Sequence, residues 1–210
     1  MRTSLNSLLW ALLIIILVIG CKKENNPIYI SAGPYGNGAF IINEGTFGQT
    51  NASVSYYDFV GDSIRGSIFE TVNKHPLGQL LQSMYSINGK VYMVLNLSDT
   101  VVIANAGDFK ETGVISGLSS PRWMTSCGGK GYITQWGEGG AVKVTDLNTN
   151  AILATIHVGT GPEQATVAGG KILVCNGGAY TVDSTISVID PITDQVVQTI
   201  EAGQNPKEMV

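Results

Sequence analysis

PEQATVAGGKILVCNGGAYTVDSTISVIDPITDQVVQTIEAGQNP, residues 162–206, reads as one complete structural unit. Pro162-Glu163-Gln164-Ala165 opens a strand, and Gly170-Lys171 suits a tight hairpin into a second. Ile186 and Val188 alternate with polar neighbours, the period-two pattern of a strand. That strand ends at Asp190-Pro191-Ile192-Thr193, a turn in which the Asp carboxylate can take backbone amides two residues on. Gln198-Thr199-Ile200-Glu201-Ala202-Gly203 then closes the unit with a β-branched strand and a glycine.

The same order recurs upstream. Gly89-Lys90, Gly129-Lys130 and Gly170-Lys171 place their lysines 40 and 41 residues apart. Entry segments precede them at Gln82-Ser83-Met84 and Pro121-Arg122-Trp123-Met124, and another begins at Pro206-Lys207-Glu208-Met209. Alternating strands follow at Val101–Asn105 and Val142–Asp146, and Ala154–Gly159 is another closing strand. A more divergent copy runs through Ala39-Phe40-Ile41-Ile42 and Val54–Asp58. Four short antiparallel strands per unit, with no helical period beyond residue 21, describe propeller blades. The expected fold is therefore an all-β propeller of four-stranded blades. They fall at about 38–73, 82–117, 122–159 and 163–203, and a fifth starts at 206–210.

The entry proline, Gly-Lys hairpin, strand ending in Asp, following Thr and closing Gly-x-Gly-Pro resemble the YVTN-type, YncE-like β-propeller family. Thr149 to Pro162 and Thr185 to Pro206 carry that resemblance most clearly. The family closes with seven blades, which implies that this chain holds part of a ring, an open arc with exposed edges. Gly38–Gly45 and Ser55-Tyr56-Tyr57-Asp58 also resemble surface lipoproteins of Gram-negative anaerobes. That group includes propellers that capture cobalamin and pass it to an outer-membrane transporter.

The N-terminus reads as an address. Arg2 precedes the apolar run Leu8–Ile19, shorter than the roughly 20 residues a spanning helix needs. Val18-Ile19-Gly20-Cys21 resembles a bacterial lipobox, which implies a signal peptide over 1–20 and lipidation at Cys21. Residues 21–37 then form a polar tether and lead-in. The expectation is an outer-membrane lipoprotein at the cell surface, with a periplasm-facing placement as the alternative. In that oxidising setting Cys127 and Cys175 could pair, but each lies among small residues in a different repeat. They are read as small buried hydrophobes.

Composition narrows the partners. The 12 basic residues against 16 acidic ones leave no basic face for phosphates, so nucleic acid is not expected. The implied partners are the membrane through the lipid, an outer-membrane transporter and a small-molecule ligand. No cofactor or metal site is indicated, since no metal-ligand spacing occurs.

In a propeller the inter-blade loops and the second-to-third-strand loops gather on one face. Those loops hold Asn43, Glu44, Phe47, Arg122, Trp123, Gln135, Trp136, Glu138, Gln164, Asn176 and Tyr180. Aromatic rings with neighbouring amides suit a flat, polar-edged ligand. Trp123 can equally pack between blades, as Met84 and Met209 would. His157 falls at an outward strand position, and His75 stands beside Pro76 without an evident partner. Binding is therefore expected over catalysis. The alternatives are a propeller enzyme of lactonase or quinoprotein type, or an adhesion module for protein or glycan.

Overall fold

The computed structural model describes residues 33–210. They form four antiparallel sheets arranged as successive blades of a β-propeller. The first sheet holds β1 (Gly38–Asn43), β2 (Ser53–Asp58) and β3 (Ser63–Arg65). Helix α1 (Ile68–Asn73) leads to the second, β4 (Leu81–Ile87), β5 (Lys90–Leu95), β6 (Thr100–Asn105) and β7 (Glu111–Ile115). The third holds β8 (Pro121–Cys127), β9 (Lys130–Gln135), β10 (Ala141–Asp146) and β11 (Ile152–His157). The fourth holds β12 (Pro162–Ala168), β13 (Lys171–Asn176), β14 (Thr185–Asp190) and β15 (Gln195–Glu201). Within each sheet, strands neighbour one another in chain order. The innermost strands β4, β8 and β12 lie side by side across consecutive blades.

Turn chemistry explains this regularity. Asn88-Gly89, Gly128-Gly129 and Gly169-Gly170 all have positive φ, as a two-residue hairpin between twisted strands requires. At the end of each third strand an acidic or amide side chain caps the next turn. Asp58 takes the N–H groups of Val60 and Gly61, and Asn105 takes those of Gly107 and Asp108. Asp146 takes those of Asn148 and Thr149, and Asp190 takes that of Ile192. These bonds hold the Asp146 carboxyl below its ordinary range, and the Lys171 ammonium does the same first of all for Asp190.

The core lies between blades, not within them. Val91, Met93 and Leu95 pack toward the first sheet, while Tyr92 and Val94 pack toward the third. Tyr132, Val142 and Val144 in turn meet Ile172 and Val174 of the fourth. A strand buried on both faces loses its alternation and reads as a continuous apolar run, as in KVYMVL.

The first blade departs from the expected pattern in two ways. Among the described residues it has three strands, and the pairing Gly38↔Asp58 through Asn43↔Ser53 matches Lys90↔Asn105 through Leu95↔Thr100. β1 therefore stands in the second-strand position, and the innermost place is not filled by described residues. The chain arrives from the outer side: Gly36 N–H bonds Gly33 O, and the Pro34 carbonyl accepts from Arg65 on β3. The second departure is α1, whose six residues are too short to show a period in sequence. Its Ile68 and Phe69 are buried in the seam between the first two blades. Asn73 locks it there, donating to Phe109 O and accepting from Glu111 N–H.

Leu8–Ile19 and Cys21 lie outside the described residues. Cys175 is a buried free thiol and so is not joined to Cys127; burial raises its pKa. His75 does have a partner: its Nε2 stands 3.1 Å from Glu111 Oε2. His157 is exposed on β11.

Candidate functional site

Each complete blade carries a register shift at the start of its inner strand. It falls between Leu81 and Ser83, Pro121 and Trp123, and Pro162 and Ala165. A bulge re-aims the side chain it carries. Proline tolerates the first position because its missing N–H costs little at a strand start. The residues so displaced are Gln82, Arg122 and Glu163, and Lys207 follows Pro206 in the same way. The four line one cavity of about 170 Å³ together with Trp123, Gln164 and Glu208.

Arg122 is the hub. Its Nε and Nη2 donate to Glu163 Oε2 at 3.0 Å and Oε1 at 3.3 Å, a two-pronged pairing across blades. Its Nη1 donates to Gln82 Oε1 of the blade on the other side. The two charged side chains are only 12% and 11% exposed, so this pair is largely desolvated. The guanidinium carbon lies 4.1 Å from the centroid of the Trp136 ring, within cation–π range. Tyr180 meets that indole edge-on, centroids 5.4 Å apart, while remaining 93% exposed. The indole Nε1 is buried with no acceptor among the described residues.

The remaining candidates divide. Trp123 packs against the seam between third and fourth blades and also lines the cavity. The register pairs it with Thr134, as Ser83 pairs with Val94, so its counterpart is Ser83 and not Met84. Gln164 Oε1 accepts from Met209 N–H, and its own N–H donates to Lys207 O at 3.3 Å. Residues 207–209 therefore lie along β12 in the place of a following inner strand. Gln135 and Asn176 are buried and serve the framework. Gln135 Oε1 accepts from Ser119 N–H, and Asn176 Nδ2 donates to Thr185 and Ser187. Glu138 is bound by Lys143 at 2.8 Å, and that ammonium is the first cause of its lowered pKa. Asn43, Glu44 and Phe47 belong to the first blade and do not line the cavity, although Glu44 O accepts from the N–H of Leu81, next to Gln82; Phe47 is 77% exposed. Asn43 is held by Ser53 and Ser55.

Gln82, Glu163, Lys207 and Glu208 were not among the sequence candidates. Their signal was positional: each follows an entry residue in the same place as Arg122 or Trp123, and opposite charges alternate from blade to blade.

The sequence model of a family described as "Domain of unknown function (DUF5074)" matches residues 37–210. The chain belongs to that family. A comparison with curated proteins found no match. Among solved structures, this DUF5074 chain is similar to the WD40 β-propeller domain of Doa1, with a TM-score of 0.54 and 14% identity. That match covers 71% of this chain and 47% of the other. The computationally designed Ika8 protein gives a TM-score of 0.56 at 12% identity, over 73% of this chain and 44% of that one. Kuenenia stuttgartiensis hydrazine synthase gives 0.50 at 20% identity, over 55% and 34%. The chain thus spans a third to a half of each of these structures. At such identities the likeness shows the fold alone.

Proposed function

We propose that this chain is an exported, lipid-anchored propeller that binds a small ligand at the mouth formed by its inner strands. The observation that carries the reading is Tyr180, an aromatic ring held in solvent at 93% exposure against Trp136, itself stacked on the buried Arg122. Rings exposed beside a cavity offer contact area at little conformational cost. The cavity, about 170 Å³, is below the few hundred Å³ of a pocket that encloses a whole drug-sized ligand. A fitting ligand lays a flat body on the aromatic face and sends one polar arm into the cavity.

Arg122 is already shared between Glu163 and Gln82, so free positive charge for a strong anion is scarce. Amide or hydroxyl arms suit the site better. A corrinoid, a flat macrocycle rimmed by amides, has that form, and delivery to an outer-membrane transporter follows as the role. Titrating the full chain in detergent with cobalamin and cobinamide tests this reading. Saturable binding is expected at micromolar ligand, weakened about tenfold or more by Tyr180→Ala. Tyr180 supports no core, so the variant folds. No binding by the folded chain, or affinity unchanged in the variant, removes the reading.

Anchoring is tested separately. A fatty-acid analogue fed to expressing Gram-negative cells should label the chain, and Cys21→Ala should abolish the label. Labelling that survives the substitution would rule out lipidation at Cys21.

A further inference from the structure

An asparagine followed by glycine is chemically unstable wherever the backbone between them can turn. Glycine has no Cβ to shield its amide nitrogen, so that nitrogen can attack the asparagine side-chain carbonyl. The sequence holds three such pairs, Asn37-Gly38, Asn88-Gly89 and Asn176-Gly177. The fold treats them differently.

Asn176 is fully buried, and its Nδ2 donates to the Thr185 and Ser187 hydroxyls at 2.9 and 3.0 Å. The Gly177 N–H is engaged as well, donating to Gly161 O at 2.9 Å. Both reacting groups are therefore held apart. Asn37 is held through its backbone: its N–H donates to the Tyr56 hydroxyl, and its carbonyl accepts from Phe59 N–H. Gly38 beside it is crowded, since a Cβ there would collide with the Tyr57 carbonyl and the Tyr56 ring. The peptide between them has no space to rotate.

Asn88-Gly89 is the opposite case. Both residues are exposed at the tip of the hairpin that joins β4 to β5. The Gly89 N–H bonds no described backbone carbonyl, and a Cβ at Gly89 would meet nothing within 4 Å. Local opening at such a tip costs little free energy.

We infer that Asn88 is a site of spontaneous covalent modification, and that its product loosens the seam between the first two blades. The Gly89 nitrogen bonds to Asn88 Cγ, and the side-chain amide leaves as ammonia, carrying the proton that the nitrogen gives up. Water then opens the cyclic imide at either carbonyl. One product is aspartate; the other is a β-linked isoaspartate with an extra methylene in the main chain. A two-residue hairpin with positive φ at both positions has no place for that extra atom. Gly89 O accepts from Ala106 N–H at 2.8 Å. Ala106 begins the turn that carries Phe109, and both residues are buried in the seam.

The test uses the full chain in detergent, incubated at mildly alkaline pH, with its tryptic peptides followed by mass spectrometry. In the folded protein Asn88 should convert at least about tenfold faster than Asn37 or Asn176. In urea the three should convert at comparable rates, because each precedes glycine. Asn88 converting as slowly as Asn176 in the folded chain overturns the assignment. So does the same spread of rates persisting in urea, which would place the cause in neighbouring residues and not in the fold. Amide exchange at Ala106 should be faster in the separated isoaspartate form than in Asn88→Asp, which carries the same charge without the added methylene. Equal exchange in those two proteins overturns the link to the seam.

Discussion

Replacing Arg122 by methionine is expected to cost about 3–5 kcal/mol of folding stability, because it leaves a buried carboxylate without its cation. Glu163 is 11% exposed and receives both prongs of the guanidinium. Its backbone is held independently by Thr134 Oγ1, bonded to Glu163 O at 2.7 Å, so the strand cannot easily swing the carboxylate into water. Methionine keeps the length and fills the space under Trp136 but offers no donor to either Glu163 or Gln82. The charged pair itself is worth much less than this figure. Desolvating both ions offsets most of their attraction, so Arg122→Met/Glu163→Met should recover most of the loss.

Chemical denaturation of the three proteins gives the coupling directly. Equal losses for the single and double variants would mean that packing under Trp136, and not the stranded charge, sets the cost. A surface pair supplies the comparison. Lys110 and Asp108 are 72% and 45% exposed, and Lys110→Met should change stability by no more than about 1 kcal/mol. Added salt should weaken that pair and leave the Arg122 pair nearly untouched.

The blades were legible because their turns are chemical. Positive-φ glycines at the first hairpin and a capping Asp at the third strand recur at the same offsets, and the structure uses them as sequence reading expects. The site was legible only in part. Arg122, Trp136 and Tyr180 stood out as a charge and two rings in loops, yet what joins Arg122 to Gln82 and Glu163 is a bulge that turns one residue per blade toward the cavity. A bulge adds no distinctive residue type, so Glu163 and Gln82 looked like ordinary strand-entry polar residues. Gln135 and Asn176 misled in the opposite direction. Gln135 faces the framework because the Ser119 N–H at a loop start needs an acceptor, and Asn176 because its Nδ2 donates to the Thr185 and Ser187 hydroxyls of the neighbouring strand. The first blade was hardest. Its aromatic seam is assembled from Tyr35, Phe40, Tyr56 and Phe109, which are far apart in sequence and share no period.

That seam gives the second large effect. Phe109→Ala should cost about 3–5 kcal/mol, the range for emptying a buried aromatic site. Phe109 is fully buried, its ring centroid 5.1 Å from Phe40 and 5.7 Å from Tyr35. It sits in the third-to-fourth-strand turn of the second blade, with φ of 62°. Alanine meets the same backbone strain there, so the change isolates the lost packing. Collapse into the void is limited on one side by Asn73, which bonds Phe109 O and thereby fixes α1. Phe109→Leu, which retains much of the volume, should lose roughly half as much or less.

Blades that touch only their neighbours behave as coupled units, so the damage should be local before it is global. Hydrogen exchange is the measurement that separates these cases. Amides of β1, β2, β5 and β6 should lose protection in Phe109→Ala, while those of β13 and β14, two seams away, should keep theirs. Uniform loss across all four sheets would show that the arc unfolds as a single cooperative body. Unchanged exchange in β1 and β2 would show instead that Phe109 does not bind the first blade to the second.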